Sequence, residues 1–88
     1  MKRTVTITDE AGMHARPASK VAAKAGEYDN EITLSYQGRS VNLKSVMALM
    51  SLGIPQGGEV TVAVDGDDAE DVLNAIIDTL AEQGLIDG

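Results

Sequence analysis

The sequence has no cysteine, no tryptophan and no phenylalanine, and Tyr28 and Tyr36 are its only aromatic residues. Without cysteine there is no disulfide framework and no thiolate chemistry. Without large aromatics the core must be built from Val, Ile, Leu, Met and Ala. Histidine occurs once, at His14, so a zinc site would have only carboxylates to place beside it, and no metal or other cofactor is expected. No apolar run is long enough to span a bilayer, which argues against membrane insertion. The segment Met1-Lys2-Arg3-Thr4-Val5-Thr6 lacks the apolar stretch of a signal peptide. These absences together lead to the expectation of a cytoplasmic protein.

The 88 residues suit one small domain, residues 1–88, and nothing in them demands more than a monomer. The formal net charge of −7 argues against direct nucleic-acid binding. The charge is unevenly spread. Between Ala11 and Ala25 the only charges are Arg16, Lys20 and Lys24, all positive, whereas every charged residue after Lys44 is acidic. Two readings of the basic group stand: ordinary solubilising charge, or a docking face for an acidic partner.

Thr4 to Thr8 alternates polar and β-branched apolar residues and predicts a strand with Val5 and Ile7 inward. A loop, Asp9 to Gly12, leads to a helix that runs to about Ala25. Ala18, Val21, Ala22 and Ala25 form its apolar stripe, and Arg16, Lys20 and Lys24 form a basic one. Pro17 fits only the first turn, and its effect on the preceding residue predicts Arg16 at or before the boundary. Gly26 is the expected stop. Two alternating runs, one through Ile32, Leu34 and Tyr36 and one through Val41 and Leu43, flank a tight turn at Gln37-Gly38. Ser45 is the expected N-cap of a short helix, Val46 to Met50, closed by Gly53. Val60, Val62 and Val64 mark a fourth strand. The last helix has Asp68 as candidate cap, Val72, Leu73, Ile76, Ile77 and Leu80 as its buried face, and Gly84 as its C-terminal stop. The order is βαββαβα, an α+β arrangement best solved by one sheet with helices on a single face.

Two segments carry possible chemistry. Gly12-Met13-His14-Ala15-Arg16-Pro17-Ala18 places an imidazole where a helix begins. A helix start offers free N–H groups and partial positive charge to an anion. A neutral imidazole there can attack phosphorus, and the planar Arg16 guanidinium can engage two phosphate oxygens. Gly12 would let a partner's backbone or a phosphate approach closely. The plainer reading is a solvated histidine cap. In the second segment, Lys44 to Gly53, a serine cap adjoins a methionine-rich stretch. It reads either as a cap over a core segment or as a surface patch in which Met47 and Met50 adapt to partners. Phosphorylation of Ser45 would put negative charge on that patch with little change in fold.

Both segments, at this spacing and in a chain of this length, resemble the HPr family of phosphocarriers in the bacterial phosphoenolpyruvate:sugar phosphotransferase system. The first matches the family's active-site signature and the second its serine-site signature. The resemblance implies an open-faced β-sandwich: a four-stranded antiparallel sheet covered on one face by three helices. It implies a carrier rather than an enzyme. Enzyme I would phosphorylate His14 on Nδ1, and the group would pass to sugar-specific IIA domains. Arg16 would serve in the active centre, with phosphate held at Ala15, Arg16 and Pro17. Ser45 would be the target of HPr kinase/phosphorylase. Its surroundings are similar to the Gram-positive type, whose serine-phosphorylated form assists a catabolite-control transcription factor. Lys20, Lys24, Val46, Met47 and Met50 fall where the family docks partners. The chain departs from the family in having no phenylalanine and in its acidity.

Overall fold

The structure, a computed structural model, describes residues 1–87. Its elements, in order, are β1 (Lys2–Thr6), α1 (Ala15–Ala25), β2 (Ile32–Tyr36), β3 (Arg39–Asn42), α2 (Val46–Ser51), β4 (Glu59–Val64) and α3 (Ala69–Glu82). This is the expected βαββαβα order. The strands form one antiparallel sheet in the order β1-β4-β2-β3. Because β1 and β2 both run antiparallel to β4, they run parallel to each other with β4 between them. β3 and β4 are likewise parallel and separated by β2. Two interleaved crossovers, through α1 and α2, therefore build the sheet.

The pleat sorts residues between the two faces. Ile32, Leu34, Val60, Val62 and Val64 are buried beneath the helices. On the other face the register aligns Thr4, Thr61, Ser35 and Ser40 across all four strands. Thr4 and Thr61 share a hydrogen bond at 2.8 Å, and Ser35 bonds Ser40. That hydroxyl row suits a face turned to water. The core is aliphatic, as the missing aromatics require. α1 contributes Ala18, Val21, Ala22 and Ala25, and α3 contributes Val72, Leu73, Ile76 and Leu80. Ile77 packs against this core only partly buried, while Thr79 is buried and bonds the Ala75 carbonyl. Ile7, Leu43 and Leu85 are fully buried just outside regular elements.

Turn chemistry agrees with the sequence at several points. Gln37 (φ 48°) and Gly38 (φ 80°) make a two-residue hairpin with both centres left-handed. α3 ends in a Schellman motif: Leu85 N–H bonds Leu80 O at 3.0 Å, and Gly84 N–H bonds Ala81 O at 3.0 Å. Gly84, at φ 73°, sits one residue beyond the cap, where a left-handed residue is required.

Other details correct the expectations. β1 lies two residues earlier than predicted. Its end is set by the Gly57-Gly58 turn, which takes up the Ile7 N–H and C=O at 2.9 and 2.7 Å. Arg16 is the second residue of α1, inside the helix. Packing of Ala18 and Val21 fixes the helix frame and overrides the pre-proline bias, while Pro17 stays in the first turn, where no N–H is needed. Gly26 does stop α1, but in right-handed geometry. Asp68 precedes α3 in left-handed geometry (φ 56°, ψ 30°) and makes no side-chain cap. The preceding turn is held instead by Asn30, whose Nδ2 donates to Asp65 O and Asp67 O at 2.9 and 2.8 Å.

Candidate functional site

His14 is the N-cap residue of α1, in extended geometry (φ −112°, ψ 171°). Its carbonyl accepts the Ala18 N–H at 3.0 Å and so starts the helix. Its side chain makes no capping bond. The imidazole is therefore not spent on the helix, and it is 44% exposed. The amides of Ala15 and Arg16, at the first two helical positions, have no partner within the helix. Pro17 has no N–H and is buried, so its part is to shape the turn beneath the site. The Arg16 side chain is exposed and, among the described residues, makes no ion pair. An anion at His14 would thus meet two backbone donors, with the exposed Arg16 guanidinium two residues on.

The loop before the helix is clamped. Gly12 N–H bonds Asp9 O at 2.9 Å, and buried Met13 donates its N–H to Ile54 O at 2.9 Å. Gly12 has φ 67°, and a Cβ there would lie 2.3 Å from Ile54 O. The close approach that Gly12 permits is therefore of the chain to itself, not of a partner or phosphate. Asp9, which the sequence pattern did not single out, is the side chain that faces the His14 ring. Its Oδ2 lies 3.3 Å from His14 Nε2, and its Oδ1 accepts the Ala11 N–H at 2.9 Å. The Ala11 N–H, and after it the His14 ring, hold the Asp9 carboxyl below its ordinary value of 3.8. An acidic residue five positions before a lone histidine, in a loop, follows no periodic rule that would have marked it.

The basic stripe is less uniform than its spacing suggests. Lys20 is exposed, whereas Lys24 pairs with Glu27 at 3.4 Å and lies 5.7 Å from the Tyr28 ring centroid. Both lysines border a groove whose other wall, from α3, carries Asp78 and Glu82. Within the stripe, Lys24 is ion-paired, Lys20 shares its groove with Asp78 and Glu82, and Arg16 is exposed without an ion pair among the described residues.

Ser45 caps α2 as expected, its Oγ accepting the Ala48 N–H at 3.2 Å. Leu49 is the buried residue of this helix. Met47 is 85% exposed and Met50 38%, with Val46 half-buried. A six-residue helix buries one side only, so Ser45 caps a core segment while the thioethers of Met47 and Met50 stay at the surface. α1 and α2 pack against each other. Among the described residues, no group of three or more His, Cys, Asp or Glu could hold a metal, and no helix is long and apolar enough to cross a membrane.

A half-exposed imidazole stands at a helix start, on the surface of a small sheet-and-helix domain. Comparison with known proteins supplies the class. The family model described as "PTS HPr component phosphorylation site" matches residues 1–82. The histidine-containing phosphocarrier protein of Mycoplasma is 40% identical over 100% of both chains, with a TM-score of 0.97. Phosphocarrier protein HPr from Bacillus anthracis is 33% identical, covering 90% of this chain and 94% of that one, with a TM-score of 0.82. Crh, the Bacillus subtilis catabolite repression containing protein, is 33% identical over 90% of this chain and 91% of its own, with a TM-score of 0.73; its structure is described as a swapped dimer. The chain belongs to the HPr family. It is a phosphocarrier of the phosphotransferase system and not a catalytic enzyme.

Proposed function

We propose that His14 is the phosphoryl acceptor of this carrier, taking the group on Nδ1 from phosphorylated enzyme I and passing it to sugar-specific IIA domains. The observation that carries this reading is the His14 side chain: it stands at the helix start, half-exposed, without a capping bond. Ala15 and Arg16 supply the donors for the phosphate, and the Arg16 guanidinium follows the charge as it moves between proteins. Lys20, Val46, Met47 and Met50 form the surface on which donor and acceptor dock, with Lys24 at its edge. The carrier acts in the cytoplasm as a monomeric single domain, residues 1–88. Its test is the mass of the intact protein after incubation with enzyme I and phosphoenolpyruvate. One phosphoryl adduct that brief acid treatment removes, and that is absent in His14→Ala, supports the reading. An acid-stable adduct, or an unchanged adduct in His14→Ala, contradicts it.

Ser45 is the second, regulatory site, the target of HPr kinase/phosphorylase. Its position at the start of α2, next to exposed Met47, supports this reading, as does similarity to a catabolite-repression protein. A phosphate on the capping oxygen is compatible with a helix start and adds charge to the docking surface. That charge weakens docking of acidic partners and creates a surface for a catabolite-control transcription factor. Loss of transfer in His14→Ala with Ser45 phosphorylation intact would separate the two sites.

A further inference from the structure

The two oxygens of Asp9 have separate tasks. Oδ1 accepts the Ala11 N–H at 2.9 Å and fixes the carboxylate in the loop, while Oδ2 lies 3.3 Å from His14 Nε2. An ionised carboxylate can only accept a hydrogen bond. A neutral imidazole facing it therefore carries its single proton on Nε2 and keeps its lone pair on Nδ1.

We propose that Asp9 is a positioning residue for phosphoryl transfer: it selects the Nε2–H tautomer of His14, directs the phosphoryl group to Nδ1, and opposes the positive charge that the ring acquires. The inference rests on the reading of His14 as acceptor. In the transfer, the Nδ1 lone pair forms the bond to phosphorus, and the bond from phosphorus to the donor breaks, its electron pair leaving with the donor. The Nε2 proton stays where it is. The ring becomes a phosphoimidazolium whose N–H faces the Asp9 carboxylate, which is not itself protonated. On delivery the electron pair of the N–P bond returns to Nδ1, and the ring is left neutral in the same tautomer, ready for another cycle.

Asp9→Asn separates this role from simple loop building. The asparagine oxygen still accepts the Ala11 N–H, so the turn is kept, but its NH2 group now faces Nε2. That group donates, which calls for a lone pair on Nε2 and moves the ring proton to Nδ1. The experiment is nitrogen NMR of the His14 ring in its neutral form, with the rate of transfer from phosphorylated enzyme I, on the wild-type chain and Asp9→Asn. The expected result is an Nε2–H ring in the wild type, a shift toward Nδ1–H in the variant, and transfer slowed about tenfold with the fold retained. An Nδ1–H ring in the wild type overturns the proposal without recourse to any variant. So does a variant with wild-type tautomer and wild-type rate, which would mean that Asp9 only builds the loop. A wild-type chain that takes its phosphoryl group elsewhere than His14 overturns the reading on which the proposal rests.

Discussion

At the scale of single residues, Gly12 shapes the loop before α1, and the proposed chemistry rests on His14 and Arg16. Gly12→Ala must place a Cβ 2.3 Å from Ile54 O while holding φ at 67°. It is expected to lower stability by about 2 kcal/mol or more, read from urea unfolding. Arg16→Ala removes an exposed side chain, so it should leave the unfolding midpoint unchanged and slow phosphoryl transfer roughly ten- to a hundredfold in stopped-flow assays. An unchanged rate would remove Arg16 from the mechanism. Asp9 adds a pH dependence. Its carboxyl is held lower in the folded state than its ordinary 3.8, so its contribution to stability is present above that value and is lost as pH falls through the folded one. Acid unfolding curves of the wild type and Asp9→Asn should accordingly converge below pH 3.8. The placement of His14 at the helix start was legible because a histidine before a helix carrying proline in its first turn is a local pattern. The contacts of Gly12 and Asp9 are ones that local spacing does not encode: Gly12 lies against the loop between α2 and β4, more than forty residues on, and Asp9 reaches His14 across a turn.

At the scale of elements, the helices and turns were legible where one local force dominates. Gln37-Gly38 states its hairpin through the need for two left-handed residues, and Val72, Leu73, Ile76 and Leu80 state the buried face of α3. Boundaries failed where tertiary contacts outweigh local preference. Arg16 is drawn into α1 by the packing of the helix, and Asp68 is held left-handed beside a turn that Asn30 ties. The cap of α2 offers a direct test at this scale. Ser45→Ala removes the acceptor for the Ala48 N–H and should lower stability by about 1 kcal/mol, whereas Ser45→Asp keeps an acceptor and should retain most of it. If Ser45→Ala unfolds at the wild-type urea midpoint, the cap contributes nothing and Ser45 is free for regulation alone.

At the scale of the whole molecule, the missing phenylalanines are made good by aliphatic packing in which Leu34, Ile76, Leu80 and Val62 are fully buried. The small side chains of Ala18, Ala22 and Ala25 bring α1 close to its neighbours. The arrangement leaves the sheet's far face to its hydroxyls and gathers His14, Arg16 and the exposed methionines on the helical side, where another protein can reach them. A carrier needs that accessibility more than it needs a pocket. The related Crh protein is described as a swapped dimer; this chain is expected to elute as a monomer, with light scattering as the check. The measurement that bears most directly on the central claim is intact mass after enzyme I and phosphoenolpyruvate, before and after brief acid, on the wild type and His14→Ala. The account requires one acid-labile phosphoryl group on the wild type and none on the variant. A wild-type chain that stays unmodified beside a demonstrably active enzyme I would contradict it.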